Sequence, residues 1–273
     1  MTQFFRHSCH KFSDLITAPF DVKSYSCFKF GSDNDAKLMG YALADSFFET
    51  YNAKLLANDM LIFASPYNHV KNAATIMTEH FMNRLNSLLV NTNGKHVEYS
   101  IIHRKVSYIN DYGFLSKEKR QELIDNDLFY INTDFLANKL LVFIDDVYIT
   151  GTHENKLIEV IKNNNITNEC GFLYFTQYTG MSPNIEGALN FASITNIHDF
   201  IDLTKRLNHH TIVRPLKYLL GQQPGVLKDN IGKFSTDTIN KMYFGCLAEG
   251  YYCIPSYQEN FKILTEEHQT RGI

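Results

Sequence analysis

No stretch of this chain is apolar for long enough to cross a bilayer, and the residues from Met1 to His7 lack the apolar run of a signal peptide. The expectation is a soluble, cytoplasmic protein with no membrane partner. Cysteine is sparse and scattered: Cys9, Cys27, Cys170, Cys246 and Cys253 make an odd set of five with no Cys-x-x-Cys pair. That argues against a disulfide framework and a cysteine zinc site, and suits a reducing compartment. Neither charge sign dominates, since the net charge is −3 with acids and bases interspersed. No basic stripe or helix-turn-helix is visible, so DNA is not an expected partner. Tryptophan is absent, and the 14% aromatic share comes from Phe and Tyr alone, which suits a substantial core. Internal repeats and low-complexity linkers are also lacking, so residues 1–273 are read as one domain.

The chemistry is concentrated in one stretch. Residues 139–144, Lys-Leu-Leu-Val-Phe-Ile, have the length and apolarity of a buried parallel strand. Asp145 and Asp146 follow, then a short turn of small and hydroxylated residues. A helical pattern comes next, with Leu157, Ile158, Val160 and Ile161 on one face. Such a turn, leading into a helix, offers backbone N–H groups to a phosphate. Two carboxylates would repel that phosphate but can accept hydrogen bonds from neighbouring sugar hydroxyls. A ribose with a 5′-phosphate suits both halves. An apolar strand ending in two acids also matches the second ATPase motif. That reading needs a Gly-x-x-x-x-Gly-Lys-Ser/Thr loop, and Gly94-Lys95 and Gly232-Lys233 run on into His96 and Phe234. A plain structural strand with exposed acids is the remaining alternative.

The stretch resembles the signature by which type I phosphoribosyltransferases bind 5-phosphoribosyl 1-pyrophosphate (PRPP): an apolar strand, two acids and a loop ending in Thr-Gly-x-Thr. Asp145, Asp146, Val147, Thr150 and Gly151 stand where the family has them. Ile149 replaces a residue that is often Thr, or Asp in some purine enzymes, and His153 replaces the closing Ser or Thr. The resemblance implies that Asp145 and Asp146 bind the ribose hydroxyls. The backbone of Tyr148, Ile149, Thr150, Gly151, Thr152 and His153 would wrap the 5′-phosphate. It also implies a pyrophosphate-binding loop after the first core strand, where Ser65, Tyr67, Asn68, His69 and Lys71 stand. A lid is implied after the second core strand. Arg104 and Lys105 precede it as candidate pyrophosphate ligands, with a solvated basic pair as the alternative. Mg2+ would be held mainly by PRPP, near Asp145 and Asp146, with no direct protein ligand set.

The rest of the chain reads as alternating strands and helices. Residues 60–64 and 96–102 are expected strands, with a helix over 73 to about 88 turning Ile76, Met77, Phe81 and Leu85 inward. A helix over 36 to about 51 is expected to bury Leu38, Ala42, Leu43 and Phe47, capped by Ser32 or Asp33. Lys29, ahead of it in Phe-Lys-Phe-Gly, reads either as a cation reaching the site or as a surface lysine between packed rings. Residues 106–116 suggest no clear period, 117 to about 125 a polar helix, 128–131 a short strand, and 170–176 a core strand. A short helix and a last edge strand are expected over 185–194. Four helices follow, over 199–207, 213–220, 236–248 and 257 to about 266, and the His209-His210 pair is read as a polar helix start.

The expected fold is therefore α/β: a doubly wound, mostly parallel sheet over residues of about 56–195, with a hood formed by 1–55 and 196–273. The expected activity is Mg2+-dependent transfer of a 5-phosphoribosyl group from PRPP to a small acceptor, with release of pyrophosphate. Asp145, Asp146, Arg104 and Lys105 would be the catalytic residues. A homodimer is compatible with this reading. The alternative is a non-catalytic PRPP- or nucleotide-binding regulator on the same fold. A phosphatase-like use of the acid pair fits poorly with the Thr-Gly-Thr turn directly after it.

Overall fold

A computed structural model of the protein describes residues 2–105 and 128–272, without the side chains of Lys105 and Leu128. The expected lid segment at 106–116 and polar helix at 117–125 lie outside the described residues. From the N-terminus come strand β1 (Phe4–Phe12), helices α1 (Val22–Lys29) and α2 (Asp33–Ala57), strand β2 (Asp59–Ala64) and helix α3 (Ala73–Asn91). Two short strands follow, β3 (Glu98–Ser100) and β4 (His103–Lys105). Beyond residue 127 come β5 (Leu128–Tyr130), β6 (Lys139–Tyr148), α4 (Thr152–Asn163), β7 (Cys170–Tyr178) and α5 (Ile185–Asn190). The remainder is helical: α6 (Ile197–Thr204), α7 (Val213–Leu220), α8 (Pro224–Asn230), α9 (Thr236–Ala248) and α10 (Gln258–Thr270).

Five strands pair in parallel in the order β1-β7-β6-β2-β3, and β4 pairs with β5 in a separate antiparallel ribbon. The apolar run of β6 is explained by burial on both faces. Leu140, Val142 and Ile144 pack under α2 and α3, while Leu141 and Phe143 join the layer beneath α4. On the α4 side Phe63, Phe143 and Phe172 stack across three neighbouring strands, with ring centroids 5.0 and 5.3 Å apart. Such cross-strand aromatic pairs pin register. On the other side Gly40 lets α2 lie directly on α3, since a Cβ there would come within 2.5 Å of the Met77 carbonyl. Asn72 starts α3 by accepting the Thr75 N–H at 2.9 Å. The chain leaves β2 for one edge and β6 for the other, so the crevice at their carboxyl ends is where an open α/β sheet binds ligands.

A parallel sheet with helices on both faces matches the expected class, and several expectations change in detail. Residues 4–12 do not belong to a hood: β1 is an edge strand, paired with β7 from Phe4–Cys170 to Phe12–Tyr178. The edge strand expected near 192–194 is not formed, and β1 holds that side of the sheet. Helix α2 lies on the sheet as well, with Leu43 and Phe47 buried but Leu38 66% exposed. The second helical layer, or hood, is built from the end of α1 with α6 to α10, around Phe30, Phe200, Leu216, Leu219, Met242 and Leu264. An additional helix, α8, lies between the expected helices, and Pro224 begins it because its missing N–H is harmless at a first helical position. His209 and His210 do not start a helix. They clamp the hood onto the start of α2, His209 Nε2 against the Phe30 carbonyl and His210 Nε2 against Asp33, each at 2.8 Å. Burial lowers the His209 pKa to about 4, so the neutral ring donates from Nε2–H. Among the described residues no helix is long and apolar enough to cross a membrane.

The seat of β1 can be tested at Gly171, where a Cβ would land 2.4 Å from the Phe5 ring. Gly171→Ala should lower urea-unfolding stability by about 1–3 kcal/mol through overpacking. Adding Phe5→Leu should recover part of that loss, giving a non-additive double-mutant cycle. An unchanged midpoint for Gly171→Ala would show that β1 does not sit at this edge.

Candidate functional site

The acid pair does not lie beyond its strand. β6 continues four residues further than the apolar run suggests, to Tyr148, pairing Asp145 with Tyr174 and Val147 with Thr176. Adjacent residues of a strand face opposite sides, so the two carboxylates part. Asp146, 5% exposed, shares the face of Ile144 and meets α1. There it accepts from Lys29 Nζ at 2.6 Å and from the Tyr25 hydroxyl. Burial works to raise the Asp146 pKa, but the Lys29 charge and the hydrogen bonds outweigh it and the carboxyl is held below its ordinary range. Burial, then the Asp146 charge, pushes the Tyr25 phenol well above its ordinary value. Lys29 is thus the site cation, not the surface lysine, of its two readings.

Asp145 faces the opposite way, toward α4. Its Oδ2 lies 3.3 Å from His153 Nδ1, and its Oδ1 accepts the Asp146 N–H at 3.0 Å. Burial raises the Asp145 carboxyl above its ordinary range, against the opposing hydrogen bond from His153. The turn between the two elements depends on Gly151, which takes φ of 73° and starts α4. A Cβ there would also meet the Tyr148 hydroxyl at 2.6 Å, so both backbone and space demand glycine. Gly151 offers no side-chain cap, which leaves the first-turn N–H groups of α4 for a ligand. The Thr150 and Thr152 hydroxyls meet at 2.7 Å beside them.

Glu154, buried in that first turn, braces the turn from below. Arg6 of β1 grips it with two nitrogens, Nε at 2.8 Å, and the Tyr174 hydroxyl donates to it at 3.0 Å. The Arg6 guanidinium also lies 4.0 Å over the Tyr148 ring. No sequence signal marks Arg6, because its partner is 148 residues away.

These groups open into a cleft of about 250 Å3. It gathers Lys29, Ser65, Arg104, both acids and the turn from Tyr148 to His153. It does not gather the remainder of the expected pyrophosphate loop. Lys71 pairs with Glu79 one side over. The N–H groups of His69 and Val70 donate to Glu249 of the hood at 2.9 and 2.6 Å, with Asn68 Nδ2 at 3.4 Å. Tyr67 forms an isolated bridge with His103 and is not in the cleft wall. Arg104 reaches the cleft from the β4–β5 ribbon, having left the main sheet, whereas the Lys105 side chain is outside the described residues. Asn72 at the start of α3, Glu186 of α5 and Arg214 of α7 line the cleft as well. Among the described residues no group of three or more His, Cys, Asp or Glu is arranged to hold a metal ion.

Sheet order, split acid pair and glycine-started helix together place this chain with the phosphoribosyltransferase-like α/β proteins. The family model for PRTase ComF-like proteins matches residues 5–264, nearly the whole chain, and the chain belongs to that family. Among solved structures it is similar to a hypoxanthine phosphoribosyltransferase from Staphylococcus aureus in a tetragonal crystal form. That match has a TM-score of 0.35 and 10% identity, and covers 54% of this chain and 74% of that one. It is also similar to a purine phosphoribosyltransferase from Pyrococcus horikoshii Ot3, with TM-score 0.29, 19% identity, and coverage of 51% and 80%. No curated protein matches the chain.

The buried Lys29–Asp146 pair yields a signed pH prediction. Removing one partner of a buried pair typically costs about 3–5 kcal/mol, so Lys29→Met should be strongly destabilising at pH 7. In the native protein the lowered Asp146 pKa contributes stability above the unfolded value of about 3.9, lost as pH falls through the folded pKa. Without Lys29, burial alone would raise that pKa, and stability should then fall as pH rises. Urea unfolding should therefore show the penalty of Lys29→Met shrinking toward pH 5 and nearly vanishing when Asp146→Asn is added. A penalty independent of pH would contradict the pairing.

Proposed function

We propose that the cleft binds PRPP with Mg2+ and transfers its 5-phosphoribosyl group to a small acceptor, releasing pyrophosphate. The observation that carries this reading is the Gly151 turn, whose uncapped helix start lies beside a carboxylate, Asp145, that the fold leaves facing the cleft. The 5′-phosphate would take the first-turn N–H groups of Thr152 and His153 and the neighbouring threonine hydroxyls. Asp145 would accept from the ribose hydroxyls. Asp146 is engaged with Lys29 and Tyr25, so sugar recognition rests on Asp145. Ser65 and Arg104 would meet the pyrophosphate, Arg with its fork of donors. Mg2+ would arrive on the oxygens of PRPP and supply charge neutralisation as the leaving group departs. Loss of pyrophosphate gives an oxocarbenium-like transition state, as in other glycosyl transfers. The protein's part is to orient the sugar and gather charge around the leaving group. Ile149 has no basic group, so it cannot activate an acceptor as an Asp at this place would.

A second reading is a non-catalytic binder of PRPP or a nucleotide. The observation favouring it is the β2–α3 loop, where Glu249 holds the amides and Glu79 holds Lys71. Such a protein would keep ribose-phosphate recognition and lack strong pyrophosphate contacts.

PRPP with Mg2+ should raise the melting temperature, since a ligand bound only by the folded state stabilises it by mass action. Ribose 5-phosphate should raise it less. Asp145→Asn should weaken both ligands about 10-fold, on the scale of a hydrogen bond to a charged group. Pyrophosphate release with an acceptor present distinguishes enzyme from binder. Equal shifts from ATP and PRPP would contradict the phosphoribosyl reading.

A further inference from the structure

Arg214 stands apart from the other basic side chains of the cleft. Lys29 is paired with Asp146, His153 lies against Asp145, and Arg104 faces the Phe129 ring at 5.8 Å. Arg214 has no ion pair among the described residues, and its Nε is buried with no hydrogen-bond partner. A buried donor left unpaired calls for an explanation, and a ligand group is a common one. Its place is also unfavourable without a ligand. Arg214 lies in the first turn of α7, where the helix dipole disfavours a cation. The backbone holds it there: the Val213 N–H donates to the Lys71 carbonyl at 3.1 Å, and Pro215 and Leu216 are buried in the hood core. The guanidinium is therefore presented to the cleft from a rigid element, as a recognition group should be.

Glu186 lines the same cleft from the first turn of α5 and likewise has no ion pair or hydrogen bond among the described residues. The two opposite charges do not pair with each other. Resting on the phosphoribosyl-transfer reading above, we infer that they form the acceptor subsite, and that the acceptor is a small nitrogen nucleophile carrying a carboxylate. Arg214 grips the carboxylate with its planar fork. Glu186 accepts the N–H of the nucleophile. In the transfer, the nitrogen lone pair forms the bond to C1 of PRPP, the C1–O bond breaks with its electrons leaving on pyrophosphate, and the N–H proton passes to the Glu186 carboxylate.

The test uses the full chain with PRPP and Mg2+, and matched pairs of N–H compounds: orotate with uracil, and anthranilate with aniline. Binding is read as the thermal shift added to that of the PRPP complex, and transfer as pyrophosphate release. At least one carboxylate should bind at least 10-fold more tightly than its neutral partner. Arg214→Gln should erase that preference while the shift from PRPP alone is kept, which also shows that the variant folds. Arg214→Lys should restore part of it. Glu186→Gln should lower kcat at least 10-fold with little change in acceptor KM. A PRPP complex that no carboxylate binds better than its neutral partner overturns the assignment, as does an Arg214→Gln that weakens pyrophosphate and PRPP alone. An unchanged kcat in Glu186→Gln overturns the proton transfer. A wild type that PRPP does not shift overturns the phosphoribosyl reading itself, a result distinct from these.

Discussion

Neighbouring residues in a β-strand point to opposite faces of the sheet, and the site depends on that constraint. Asp145 and Asp146 sit inside the hydrogen-bonded part of β6, so they cannot act as one unit. Asp146 turns inward to Lys29 and Tyr25 and ties the central strand to α1. Asp145 turns to the α4 side, beside His153 and the cleft. A carboxylate buried with a lysine contributes little net stability relative to an apolar pair, but leaving either charge alone is severe. The pair therefore fixes where α1 stands. The second core begins at the end of α1, with Cys27 and Phe30, so the hood takes its position from the same contact.

Long-range contacts then shape the rest of the cleft. The first strand of the chain reaches the Gly151 turn through Arg6 and Glu154, which makes an edge strand part of the site's support. The hood is fastened at three places: the Val213 N–H on the Lys71 carbonyl, Glu249 on the β2–α3 loop, and the two histidines on Phe30 and Asp33. The second of these holds part of the loop that the family resemblance assigns to pyrophosphate, so Glu249 and a bound pyrophosphate would compete for the loop's donors.

Local pattern sufficed wherever a signal was periodic or short in range. The apolar runs of β2, β6 and β7, the faces of α3 and the Thr-Gly-Thr turn were legible because each rests on neighbours along the chain. The bounds of α7 and α9 were legible for the same reason, through helical spacing. Partner-dependent features were hidden. Residues 4–12 carry no strict alternation, and only pairing with β7 makes them a strand. The acid pair was visible, but its division between two faces follows from where β6 ends, and strand ends are poorly marked in sequence. Lys71 looked like a ligand because it stands near a helix start, and Glu79 two turns further on takes it away. Arg214 had one overlooked signal, a cation in a first helical turn.

The central claim is that one carboxylate, and not two, faces the sugar beside a glycine-started helix. A crystal structure of the chain with PRPP and Mg2+ tests it most directly. The account predicts the 5′-phosphate within hydrogen-bond distance of the Thr152 and His153 N–H groups, Asp145 accepting from the ribose hydroxyls, and Asp146 still bound to Lys29 and Tyr25. A phosphate held elsewhere, or Asp146 released from Lys29 to bind the ribose, would contradict it.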